Sequence, residues 1–246
     1  MLYLEDYIGF LIAIVICMIF SAVASNKVKT AFGKYNGVRC RSGYTGYMAV
    51  TRLMRSNGVE DIRIGKVSGF LTDHYHPAKS VVNLSDSTYS SDSVAAVAVA
   101  AHEMGHVMQN KDGYTFYRIR TAIVPIVNFG THLAMPLVLL GVVVDILSLS
   151  TDSELGFYIA MLGVILYGGA LFFALVTLPV ELNASKRASE MLVSEGILGS
   201  DELPMAKEVL SAAALTYLAS LMTSLVYFIR FLLRVLAIFG RRGRRR

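Results

Sequence analysis

The chain has 246 residues, of which 54% are hydrophobic and only 17% charged. Soluble domains average about 25% charged residues, so an ordinary soluble protein is excluded. Two cysteines, Cys17 and Cys40, do not make a disulfide scaffold, and the net charge of +5 is less informative than its distribution.

Four stretches carry no charged residue: 7–24, 121–144, 155–180 and 209–229. A helix rising about 1.5 Å per residue needs about 20 apolar residues to cross a bilayer core of about 30 Å, so four transmembrane helices are expected. The first stretch is short enough to resemble a signal peptide. The residues before it include Glu5 and Asp6 and no base, where a signal peptide is basic; a retained anchor over 1–24 is expected. The second and third stretches form a transmembrane hairpin, 121–180. In the last region, 209–246, Ala212, Ala213 and Ala214 suit a core helix as well as a span, which would then start later and run into 231–239. Arg230 and Arg234, four apart, lie on one helical face where their stems can reach the interface.

Region 25–120 holds 13 Lys/Arg against 7 Asp/Glu, and 181–208 is a shorter polar region. Lys27, Lys29 and Lys34 follow the first span, and Arg118 and Arg120 precede the second, whereas the link 145–154 is acidic. The excess of bases on cytoplasmic flanks places 25–120 and 181–208 in the cytoplasm and the link outside. A fourth full crossing would export the tail Arg241–Arg246, against the same rule. The tail reads as a polybasic contact with anionic lipid rather than a nucleic-acid site.

Within 25–120, residues 42–57 have helical apolar spacing, closed by Asn57-Gly58. Residues 59–71 read as extended, 72–77 as a turn and 80–84 as a second strand, giving a β-hairpin. Ser91, Asp92 or Ser93 caps a helix over 94–109, apolar nearly all round and therefore buried. A further helix is expected over 181–195, ended by Gly196.

The buried helix contains His102-Glu103-Met104-Gly105-His106. Histidines at i and i+4 share one helical face, so both imidazoles can reach one metal ion, with Glu103 beside them as general base. Zn²⁺ suits nitrogen and carboxylate donors and brings a bound water into the neutral pH range. Chance histidines are the alternative, but two imidazoles and a carboxylate in so apolar a helix are costly without a compensating ion. Catalytic zinc takes three protein ligands. His132, Glu181, Glu190 and Glu195 are the downstream candidates; His132, beside Pro136 in a span, reads as a packing group.

The His-Glu-Met-Gly-His motif, a transmembrane hairpin, then Glu181-Leu182-Asn183-Ala184-Ser185-Lys186-Arg187-Ala188, together resemble the YugP-type membrane zinc metallopeptidases. More distantly, they resemble HtpX-like and CAAX-type membrane proteases. The likeness extends to the N-terminal span, Leu71–Tyr75 and Ala212–Tyr217. It implies a mainly α integral membrane protein with a small α+β zincin-like domain at the membrane face. It also implies one zinc ion on His102, His106 and Glu181. In the HtpX-like relatives an Asp four residues after that Glu supports the first histidine; here the position is Ser185, and another group must orient His102. In gluzincin-like enzymes an exposed strand pairs with the substrate backbone. Val81, Val82 and Asn83 are the candidate strand, an ordinary sheet edge being the alternative. Arg187, Asn183 and His76, with His74 and Tyr75, are the candidate oxyanion donors.

The leading expectation is a zinc endopeptidase of the plasma (inner) membrane with its site facing the cytoplasm. It would cleave peptides or membrane-protein segments, in quality control by the resemblance. Its partners are the substrate and the lipid bilayer, with no nucleic acid; nothing specifies an oligomeric state. The alternative is a non-catalytic membrane scaffold with a degenerate metal motif.

Overall fold

A computed structural model of the chain describes residues 2–147 and 154–240. The basic tail 241–246 and residues 148–153 of the acidic link lie outside the described residues. The fold is mainly α, with a small three-stranded sheet. In chain order it comprises α1 (Leu2–Asn36), α2 (Gly46–Ser56), β1 (Arg63–Val67), β2 (His74–His76), β3 (Val81–Ser85), α3 (Val94–Lys111), α4 (Thr115–Leu147), α5 (Leu155–Ser194) and α6 (Leu203–Gly240).

Four of these helices, α1, α4, α5 and α6, are long and apolar enough to cross a membrane. They are longer than the charge-free runs suggest. The expected break before Glu181 does not exist: α5 runs unbroken from Leu155 to Ser194, with Pro179 inside it. Glu181 therefore sits within a helix rather than at the start of one. Likewise α6 is one helix, which joins the small-residue run 209–217 to the apolar run 231–239.

Two compact units share these helices. The first takes in the described residues within Met1–Phe20, Ile119–Thr177 and Leu218–Arg246. Its surface is apolar, with Ile126, Phe129 and Ile165 each more than 60% exposed, as expected of side chains facing lipid. Small residues let its helices touch. A Cβ on Gly163 would lie 2.6 Å from the Ala134 carbonyl oxygen, and one on Gly141 2.5 Å from that of Gly156.

The second unit spans Ser21–Arg118 and Leu178–Tyr217. Its core is built around α3, whose Val94, Ala95, Ala96, Val97, Ala98, Ala100 and Ala101 are fully buried. Around it pack Leu53 of α2, Val82 and Leu84 of β3, and Ala188 and Leu192 of α5. Ser93 caps α3, its hydroxyl accepting from the Ala96 N–H at 3.1 Å. Gly113, at φ +65°, turns the chain out of the helix, with the Tyr114 N–H returning to the Gln109 carbonyl at 2.9 Å.

The sheet differs from the expected hairpin. Its order is β1-β3-β2: β1 pairs with β3 in parallel and β2 pairs with β3 antiparallel. The segment read as a turn, His74–His76, is an edge strand. The candidate substrate strand is instead central. Val81, Val82 and Asn83 face Arg63, Ile64 and Gly65 on one side and His76, Tyr75 and His74 on the other. No edge of that strand remains for a substrate, which corrects the sequence-based expectation. Parallel pairing was not legible because β1 and β3 are joined through β2 rather than by a recognisable crossover helix.

The Ser93 hydroxyl also donates to Asn36 Oδ1 at 3.0 Å. Ser93→Ala is expected to lower stability by about 1 kcal/mol, read as an earlier thermal unfolding transition of the detergent-solubilised protein.

Candidate metal centre

Two helices make the site. On α3, the rings of His102 and His106 stand edge to face with centroids 4.8 Å apart. On α5, Glu181 is 2% exposed and points one carboxylate oxygen at both. Its Oε2 lies 3.2 Å from His102 Nε2 and 3.5 Å from His106 Nε2. All three donor atoms lie within 4.8 Å of one another.

The approach of the helices depends on small residues. A Cβ on Gly105 would lie 2.5 Å from the Ala184 carbonyl oxygen and 3.0 Å from its Cα. Gly105 stands between the two histidines on α3's sequence, and Ala184 lies three residues after Glu181, so this contact sets the distance between imidazoles and carboxylate.

Hydrogen bonds on the far side of each ring fix its orientation. His106 Nδ1 is 3.0 Å from Gln109 Oε1. The Gln109 amide is itself oriented, because its Nε2 donates to the Val180 carbonyl at 2.7 Å and to Asn183 Oδ1 at 3.0 Å. Gln109 Oε1 is thus an acceptor, His106 Nδ1 carries the proton, and in the neutral ring Nε2 presents a lone pair toward Glu181. His102 Nδ1 lies 3.2 Å from Ser185 Oγ. Ser185, expected from the resemblance to leave this task to another group, is therefore itself the group that supports His102.

Three lone-pair donors converging in this way fit a zinc ion. Tetrahedral ligands at about 2.0–2.1 Å from zinc stand about 3.3 Å apart, close to the two separations above. A single proton cannot bridge one carboxylate oxygen to two rings. Imidazoles that donate Nδ1–H to protein acceptors are the usual partners of such an ion.

Glu103 is 7% exposed. Burial pushes its carboxyl up to about 7, an effect opposed by His102 and reinforced by Glu181 and Asp73. It accepts a hydrogen bond from the Tyr75 backbone N–H, so β2 turns its outer edge toward Glu103. A carboxyl of this kind can take up and release a proton near neutral pH.

The other sequence candidates sit elsewhere. Arg187 donates from Nε to Asn183 Oδ1 at 2.9 Å and pairs with Asp112. Asn183 also accepts from Gln109, so both belong to the network that steadies His106. His76 lies on β2, and its Nδ1 is buried with no hydrogen-bond partner among the described residues. His74 is held between the Thr72 carbonyl and Asn83, and the Tyr75 hydroxyl meets Asn110. His132 bonds the Asn128 carbonyl within α4. Glu190 pairs with Lys186 and Glu195 with Arg52. Sequence reading missed Gln109, although its position three after His106 puts it on the ligand face, and it missed the spacing role of Gly105.

Comparison with known proteins agrees with this centre. The family described as "Putative neutral zinc metallopeptidase" matches residues 10–236. The "Putative membrane protease YugP" of Bacillus subtilis (strain 168) is 42% identical over 210 residues, covering 85% of this chain and 89% of that protein. No solved structure matches. The chain belongs to the neutral zinc metallopeptidase family and is an integral membrane protein.

Gly105→Ala forces the helices apart or strains them, at a cost of about 1–3 kcal/mol. Its zinc affinity is expected to fall at least about tenfold, measured by chelator competition on the purified protein.

Proposed function

We propose that this member of the neutral zinc metallopeptidase family is a membrane-embedded endopeptidase that hydrolyses peptide bonds with one zinc ion. The observation that carries this reading is the meeting of His102 Nε2, His106 Nε2 and Glu181 Oε2, beside the buried acid Glu103.

His102, His106 and Glu181 would hold the ion, which when bound supplies Lewis acidity toward water and the peptide carbonyl. Glu103 does the proton work. As a carboxylate it takes a proton from the attacking water; as an acid it returns that proton to the nitrogen of the departing amine. Burial raises its pKa, which favours the return of that proton. Ser185 and Gln109 hold the two rings so that each presents Nε2.

The substrate backbone would lie along the outer edge of β2, the strand beside Glu103, by strand addition. This replaces Val81–Asn83 with His74–His76 as the pairing segment. Peptides and membrane-protein segments are the substrates in this reading, in keeping with a quality-control role, and the relative named above carries the description "Putative membrane protease". The site would face the cytoplasm of the plasma membrane, a reading supported by Lys27, Lys29, Lys34, Arg118 and Arg120 beside the spans.

Two variants test the division of labour. Glu103→Gln should keep stoichiometric zinc yet cleave a casein substrate at least about a hundredfold more slowly. Glu181→Ala should lose the zinc itself, read by metal analysis after dialysis against dilute chelator. A Glu103→Gln protein that cleaves at the normal rate would refute the mechanism. Full zinc retention in Glu181→Ala would refute the ligand set.

A further inference from the structure

A cavity of about 290 Å³ lies wholly within the first unit. All four long helices contribute to it: Phe10 of α1, Ala134 and Met135 of α4, Tyr167 of α5, and Arg230 and Arg234 of α6. The lining is mostly apolar or aromatic, yet it carries two positive charges and no acidic residue. Arginine is costly in a spanning helix, and where it occurs it marks a cavity or a binding function.

Helix geometry and aromatic packing place the two cations. Four residues apart on α6, they share one face. The Arg230 guanidinium sits over the Phe10 ring, 4.8 Å from its centroid. Phe10 meets Tyr227 edge to face at 5.9 Å, and Phe231 meets Tyr167 in the same way at 5.5 Å. The Thr131 hydroxyl donates to the Val127 carbonyl of its own helix at 2.9 Å. The remaining polar groups on the lining are the guanidiniums and the phenols of Tyr167 and Tyr227, and all of them are hydrogen-bond donors.

Position along the chain sets the depth. Phe10 is the fourth residue of the charge-free run 7–24, and Arg230 is the first residue after the run 209–229. Their contact joins the ends of two apolar runs, the level at which lipid headgroups begin. On α4 and α5 the lining residues fall in the middle of their runs. The cavity is therefore a notch that leads from headgroup depth toward the hydrocarbon. Met135 and Tyr227, both exposed on the lipid-facing surface, mark its mouth.

We propose that this notch binds one phospholipid of net negative charge, with its phosphate on Arg230 and Arg234 and the start of an acyl chain against Phe10, Ala134 and Met135. Guanidinium forks match phosphate oxygens in pairs, and the apolar wall suits a hydrocarbon chain that a free phosphate ion lacks. A choline headgroup would bring its own cation to the two arginines; a glycerol headgroup would not. Pockets that enclose a whole small ligand run from about 300 to 1,000 Å³, so most of the lipid stays in the bilayer. This inference does not depend on the hydrolase reading.

The test uses the full-length protein, delipidated in a non-ionic detergent, and two measurements. Native mass spectrometry with an equimolar mixture of phosphatidylglycerol and phosphatidylcholine counts the lipid retained. Thermal unfolding is then followed with each lipid alone and with inorganic phosphate alone. Wild type should retain one phosphatidylglycerol over phosphatidylcholine by at least about tenfold. It should unfold later with phosphatidylglycerol only, because a ligand of the folded state stabilises it. The double variant Arg230→Gln, Arg234→Gln should lose both effects. Glutamine in place of all five tail arginines (Arg241, Arg242, Arg244, Arg245 and Arg246) should leave both intact, which separates the notch from a diffuse polybasic attraction.

Equal retention of the two lipids by wild type overturns the proposal. So does a preference that survives in the folded double variant or vanishes with the tail arginines. An equal thermal shift from inorganic phosphate overturns it in favour of a soluble anion. Should the double variant not fold, Met135→Trp decides, because it fills the notch from its lipid side and keeps both charges. Loss of the preference there supports the proposal, and an unchanged preference overturns it.

Discussion

The contact of Gly105 with the Ala184 carbonyl is the constraint on which the site depends. A helix carrying two histidines one turn apart cannot complete a metal centre by itself. The third donor comes from α5, and its carboxylate is short. It reaches both rings only because the two backbones touch at a residue without a side chain. The burial of α3 follows from the same requirement. Its alanines and valines pack against α2, β3 and α5, so the ligands are held by a close-packed interior rather than by loops, and a shift of a few tenths of an ångström is resisted by many contacts.

Orientation of the rings adds a second level of control. Gln109 spends every polar atom of its side chain: the oxygen on His106, the nitrogen on the Val180 carbonyl and Asn183. Arg187 and Asp112 continue that chain of contacts to the surface. Residues that sequence reading set aside for the oxyanion thus have a defined structural task. Ser185 gives His102 a neutral partner, which leaves that imidazole a weaker electron donor than a carboxylate partner would.

Much of this was legible before any coordinates. Charge-free runs marked the membrane helices because lipid leaves no other option for a spanning segment. The His-Glu-Met-Gly-His spacing marked α3, and the candidates Ser91, Asp92 and Ser93 marked its start, Ser93 being the cap. Glu181 was legible through the family likeness rather than through spacing. The misreadings have physical causes. The return of charge at Glu181, after the charge-free run 155–180, looked like a boundary, yet α5 continues unbroken to Ser194. His74–His76 looked like a turn because strand pairing is not local information, and a three-residue edge strand has no periodicity to detect. That one error put the candidate substrate strand on β3, which is the central strand of the sheet.

The most direct measurement is X-ray absorption at the zinc edge of the purified, zinc-loaded protein. The account predicts two imidazole nitrogens and carboxylate or water oxygens at about 2.0–2.1 Å, with no sulfur. In Glu181→Gln, the two-imidazole signature should persist at high zinc while the oxygen shell changes. A sulfur shell at about 2.3 Å, or fewer than two imidazoles, would place the ion somewhere other than the meeting point of α3 and α5 and contradict the account.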